Sequence, residues 1–181
     1  MNRTVGKGLL LAVVHVAMVA SLGAKLLIDR AKYPRVWART APVDPNLPIR
    51  GRYVRLRLEA AVGPGLELSL PGPVAQGTRT FTQPAPSRPV VLSAEDGALV
   101  ARPTSQGMDA LLAHARERDG RIVAELETPV AYFIPEHAPD PSRRAAGEEL
   151  WVEVTIPPHG APRPIRIGVK KGAILTALDL R

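Results

Sequence analysis

Residues able to hold, move or transfer a proton are few in this chain, and they are scattered. The four histidines stand at positions 15, 114, 137 and 159. No two of them have the spacing that places metal ligands together on one face of a helix or strand. Glu136-His137 is the one acid–base doublet, and it could host general acid–base work in an envelope hydrolase. Adjacent side chains on an extended segment point to opposite faces, however, so the doublet reads better as part of a polar loop. Ser69 is the first serine beyond Ser21, and the only lysines after residue 41 are Lys170 and Lys171. That spacing does not make the serine–lysine pair of a membrane-anchored peptidase. The zinc-protease pattern, the phosphate-binding Gly-Lys-Ser/Thr loop and the dinucleotide glycine fingerprint are all absent. With no cysteine, disulfides, thiol catalysis and cysteine-ligated metals are excluded. The expectation is a protein that is not an enzyme, with no catalytic residue, no metal site, no cofactor and no small-molecule ligand.

Charge points away from nucleic acid. The formal net charge is +7. Residues 1–41 hold seven basic residues and one acid, while residues 42–181 hold 17 basic and 16 acidic residues. A nucleic-acid-binding domain needs surplus cations on its folded surface to displace counterions. Here the surplus flanks an apolar run, where anionic lipid headgroups would lie. A local exception is Arg52, Arg55 and Arg57 on one face of a strand, a patch that could meet an anion or a lipid headgroup.

That apolar run decides the organisation. Gly8 to Ala24 carries no formal charge, and with Leu26, Leu27 and Ile28 the stretch reaches 21 residues. As a helix it would span about 31 Å, against about 30 Å for a bilayer core. Lys25 sits near one end, where its stem can reach the headgroups. His15 is a single polar residue inside the run, without a second intramembrane ligand. The segment is expected to be a transmembrane anchor, giving an inner-membrane, single-pass protein whose partners are the lipid bilayer and another integral membrane protein. A cleaved signal peptide, cut after Gly23, would instead give a secreted binding protein. Basic residues are more numerous after the span than before it, which argues for a cytoplasmic domain. The signal-like start argues for the exported side.

The rest of the chain reads as short strands between Gly/Pro turns. Residues 1–28 are the anchor, 29–50 a proline-rich connector stiffened by Pro42, Pro45 and Pro48, and 51–181 a β domain. Alternation predicts strands over 51–58, 66–70, 121–126, 130–134 and 150–156. Hairpins are expected around Asp96-Gly97 and around Lys171-Gly172. Residues 71–89 read as a long loop and 108–118 as a short helix stopped by Asp119-Gly120. Eight or nine short strands are the pattern of a small antiparallel sandwich or barrel, so the fold class expected is mainly β behind one N-terminal helix.

Residues 42–58 read PVDPNLPIRGRYVRLRL. Pro42-Val43-Asp44-Pro45, followed by Gly51, Tyr53 and Leu56, resembles the signature region of the GDYXXLXY family. The later phrase Tyr132-Phe133-Ile134-Pro135-Glu136 is similar to that family's Tyr-Phe-Val-Pro-Glu. The likeness runs in the same order to the final β segment. Arg52 stands where the motif has Asp and Leu58 where it has its last Tyr, which removes a catalytic carboxylate from this place. The resemblance implies a bacterial membrane-associated protein with a partner in the membrane and an exported domain. It brings no biochemical activity.

Overall fold

The computed structural model describes residues 3–42, 53–76, 79–105, 107 and 110–180. The chain divides into two compact units, Met1–Tyr33 and Pro34–Arg181.

The first unit is one helix, α1 (Arg3–Lys32). Its stretch Gly6–Lys32 is long and apolar enough to cross a membrane, a test that a signal sequence near an N-terminus also passes. Large apolar side chains including Leu9, Leu11, Val14, Val19 and Leu27 are exposed. They lie on every side of the helix, so no single stripe could seat it on a protein surface. The polar side chains inside the run are satisfied locally. His15 Nδ1 donates to the Leu11 carbonyl at 2.8 Å, and the Ser21 hydroxyl donates to the Met18 carbonyl at 2.8 Å. The Tyr33 amide closes the last turn on the Asp29 carbonyl. Pro34 then ends the helix by disfavouring helical backbone in the residue before it.

The second unit is built from β1 (Arg35–Pro42), β2 (Tyr53–Val62), β3 (Gly72–Gln76), β4 (Arg79–Gln83), β5 (Arg88–Glu95) and β6 (Ala98–Pro103). It continues with β7 (Leu111–Arg118), β8 (Arg121–Leu126), β9 (Val130–Phe133), β10 (Glu148–Thr155), β11 (Arg163–Lys171) and β12 (Ile174–Ala177). The expectation of a mainly β domain behind one N-terminal helix is met, with a barrel at its centre. Five strands close a ring in the order β2-β6-β5-β7-β8, and β8 pairs back onto β2. The β2–β6 pair is parallel and the other four are antiparallel. Strand β2 also carries β1, from which β10, β11 and β12 continue as an antiparallel extension. β9 pairs with the first half of β2.

A five-stranded ring has a narrow interior, and the sequence fills it with small and aliphatic side chains. Leu56, Leu58, Val90, Ala101, Ala113, Ala124 and Leu126 are all buried to 1% exposure or less. Alternation sends their neighbours outward. The hairpin turns have the backbone that right-twisted strands demand, with φ of 49° and 76° at Asp96-Gly97 and 50° and 73° at Asp119-Gly120. Gly63, at the end of β2, donates to the Ala101 carbonyl at 2.8 Å, and a Cβ there would stand 2.7 Å from that oxygen.

Four local expectations are corrected. Residues 35–42, expected to lie within the 29–50 connector, form β1 inside the sheet. Val36 and Ala38 face the core there, and the prolines that suggested a connector begin only at the strand's last residue. Of the helix expected over 108–118, residues 111–118 form strand β7 instead. Alanines at 113 and 115 satisfy either period, and pairing with β5 and β8 decides the matter. The long loop over 71–89 contains the β3–β4 hairpin. Leu66–Leu70 makes no ladder, although Leu66 is buried in the core.

Candidate functional site

The outward face of the sheet carries what the core excludes. Reading across in register, Gly168 of β11 is opposite Trp151 of β10, which is opposite Arg39 of β1. Arg39 is opposite Glu59 of β2, Glu59 is opposite Glu125 of β8, and Glu125 is opposite His114 of β7. One row therefore runs through six strands and holds a tryptophan, an arginine, two carboxylates and an imidazole.

Like charges placed opposite one another are destabilising unless cations bridge them. Arginines do so here. Arg118 Nε donates to Glu59 Oε1 at 2.7 Å, and Arg39 Nε stands 3.7 Å from Glu59 Oε2. Arg116 and Arg57 donate to the two oxygens of Glu125 at 2.6 and 3.3 Å, with His114 Nε2 at 3.8 Å. Arg39 also binds Asp119 at 2.6 Å and Glu149 at 2.7 Å. Burial works against the Arg39 charge, yet the hydrogen bond to Asp119 and the charges of Glu149, Asp119 and Glu59 outweigh it and raise its pKa. The same hydrogen bond, with the Arg39 charge behind it, lowers that of Asp119. Glu125 is fully buried and Glu59 nearly so. Both carboxylates are thus shut beneath their arginines.

Beside this row lies an open cleft of about 600 Å³. Its floor is the end of β2, from Glu59 to Val62. The β5–β6 turn at Gly97-Ala98 and the β7–β8 turn at Arg118-Asp119 line it, as do Trp37, Arg39 and Trp151. These are the chain's two tryptophans. Each is held by a cation, Arg166 at 5.4 Å from the Trp37 ring centre and Lys170 at 4.5 Å from that of Trp151. Trp151 Nε1 donates to Glu149 at 3.1 Å.

The residues singled out from sequence are partly brought together. Tyr53 is in register with Phe133, their rings 6.1 Å apart, and Leu56 is in register with Val130. The two separate phrases that carried the family resemblance are therefore neighbouring strands. Leu56 is fully buried, Tyr132 packs against the core and Phe133 is exposed. Pro135 accepts from the Ala138 amide, while Glu136 and His137 are exposed in the loop beyond. Pro42 ends β1. Val43, Asp44, Pro45, Gly51 and Arg52 lie outside the described residues. Arg55 is half-buried on the outer face, and Arg57 is ion-paired with Glu125. Among the described residues, no group of three His, Asp or Glu side chains is placed to hold a metal.

Arg39, Glu59, Arg118, Glu125, Trp37 and Trp151 were not singled out from sequence. A signal for two of them was present: Glu59 and Glu125 each interrupt an apolar strand run, Leu58-Glu59-Ala60 and Ala124-Glu125-Leu126. A charge in such a place needs a partner across the sheet.

No curated protein and no solved structure matches the chain. The family model described as GDYXXLXY protein matches residues 16–167, which takes in the second half of α1, all of β1 to β10 and the start of β11. The chain belongs to the GDYXXLXY protein family.

Proposed function

We propose that this chain is a single-pass, membrane-anchored envelope protein whose β domain is a non-catalytic interaction module for another integral membrane protein, held on the exported side of the inner membrane. The observation that carries the reading is the apolar stretch Gly6–Lys32 of α1, whose most apolar window is wholly unburied, with apolar side chains on all its sides. Water would exact a large cost for that surface, and a bilayer would not. The second unit buries a core of its own, so the helix is not needed to complete it. The non-catalytic reading is supported by the closed ion pairs of the outer face. Glu59, Glu125 and Glu153 are each held by an arginine, an arrangement that fixes geometry rather than passing protons. Phe133, exposed beside Tyr53 on β9, offers an aromatic contact for a protein partner.

The absence of cysteine makes topology testable. Ser87→Cys places one thiol at an exposed position between β4 and β5. Intact cells would be treated with a membrane-impermeant maleimide and the membrane fraction weighed. Labelling of the full-length chain is the expected result. Labelling of a shortened chain would replace the anchor with a cleaved signal, and labelling only after lysis would place the domain in the cytoplasm. For the partner, a photo-crosslinking residue at Phe133 should give a discrete adduct with a membrane protein. A Phe133→Asp chain carrying the crosslinker at Ile174 serves as the control.

A further inference from the structure

The barrel's connectivity gives the cleft a meaning that goes beyond this reading. An oligonucleotide/oligosaccharide-binding barrel has five strands in the ring order 1-2-3-5-4, antiparallel throughout except for strands 3 and 5. Here β7, β8, β2, β5 and β6 take the places of strands 1 to 5. Every pairing and its sense agree, including the single parallel pair, β2 with β6. Chain order agrees as well, up to a circular permutation that starts the barrel at the third strand. Such barrels bind chain-like ligands on the outer face of strands 2 and 3, between the 1–2 and 4–5 turns. In this protein those features are β8 and β2 and the turns at Asp119-Gly120 and Asp96-Gly97. The 600 Å³ cleft is lined by the end of β2, the start of β8 and both turns, so it occupies the corresponding place.

We propose that this cleft binds a segment of an extended neutral or N-acetylated oligosaccharide. Three observations choose sugar over nucleic acid. Of the three arginines lining the cleft, Arg39 and Arg118 are ion-paired with Glu59 and Asp119, which leaves Arg121 as a single cation toward a phosphate backbone, where a nucleic-acid groove needs several. Both tryptophans of the chain line the cleft, and a pyranose ring presents an apolar C–H face that packs on an indole. Alternating guanidinium and carboxylate groups suit hydroxyls, which donate and accept. This departs from the sequence-based expectation of no small-molecule ligand.

The test uses the full chain in lauryldimethylamine oxide micelles, a detergent without sugar. Because the only tryptophans line the site, their emission reports occupancy. Cellohexaose and chitohexaose are titrated, with a twenty-residue oligothymidylate in parallel. The expected result is a saturable emission change with at least one glycan, weakened about tenfold or more by Ala61→Phe. Ala61 is exposed at the floor with its side chain outside the core, so a circular-dichroism spectrum unchanged from the parent shows that the variant folds. Trp151→Leu is the second variant, expected to weaken binding while its remaining tryptophan still reports. No saturable change with either glycan overturns the proposal. So does equal binding by the Ala61→Phe chain, or binding of the oligothymidylate alone. None of these outcomes bears on which side of the membrane the domain lies.

Discussion

The indole ring of Trp37 lies against Gly168, two strands away in the outer sheet, and a Cβ at Gly168 would stand 3.0 Å from two of its ring carbons. The same atom would stand 2.8 Å from the Thr176 carbonyl, so neither side can yield cheaply. Gly168→Ala is therefore expected to destabilise the domain by about 1–3 kcal/mol, the usual cost of overpacking. A urea unfolding curve followed by tryptophan emission would show it. An unchanged midpoint would mean that the ring is not seated on β11.

The Glu59–Glu125 pairing makes an asymmetric prediction. Glu125 is buried between Arg116 and Arg57, and both arginines are partly exposed. Removing the carboxylate by Glu125→Ala leaves two guanidinium groups facing each other over a polar hole, an expected loss of about 2–4 kcal/mol. Removing one arginine by Arg57→Ala leaves Glu125 still held at 2.6 Å by Arg116, and the loss should stay within about 1 kcal/mol. Equal midpoints for the two variants in chemical denaturation would contradict the bridged arrangement.

How much of this was legible in the sequence depends on range. Asp96-Gly97 announces its hairpin because only Gly, Asn and Asp readily adopt the left-handed backbone of that turn, a preference written into two residues. The long apolar helix is legible for the same reason, since its length and composition are local. Barrel closure is not local. It rests on β2 meeting β8 from 59–61 to 123–125 and β6 at 100–101, contacts that no periodicity encodes. Strand β7 was misread because Leu111, Leu112 and Ala115 fit a helical face as well as Leu111, Ala113 and Ala115 fit a strand. The cleft was invisible for a related reason. Trp37 and Trp151 are 114 positions apart in sequence, and only the β1–β10 pairing makes them neighbours.

Acid should weaken the β5–β6 hairpin. Glu95 receives two hydrogen bonds at 2.7 Å from Arg102 and another from Ser93. The Arg102 hydrogen bonds, then that of Ser93, hold its pKa down to about 2, against an ordinary 4.5. A carboxylate whose folded pKa is depressed stabilises the fold above its unfolded pKa and loses that contribution as pH falls to the folded value. The window is thus from pH 4.5 down to about 2. Thermal unfolding measured across that range should show a decline that is shallower in Glu95→Gln. An identical slope in the two proteins would show that this pair is not formed in solution.

Asp119 carries two roles that substitution can separate. Its backbone sits at φ 50° in the β7–β8 turn, and its carboxylate accepts from Arg39 at 2.6 Å. Asparagine tolerates the left-handed backbone but carries no charge, while valine tolerates neither, because a β-branched side chain crowds its own carbonyl there. Asp119→Asn should therefore unfold only slightly earlier than the parent, and Asp119→Val markedly earlier. The two roles also differ with pH. The Asp119 pKa is lowered by the hydrogen bond to Arg39, so the advantage of the parent over Asp119→Asn should be full above the ordinary aspartate value of 3.8 and fade below it. The turn penalty of Asp119→Val has no ionisable group behind it, so part of that loss should persist at the lowest pH. If both variants converge on the parent in acid, the turn contributes nothing of its own, and the left-handed backbone at Asp119 is not what fixes the β7–β8 register.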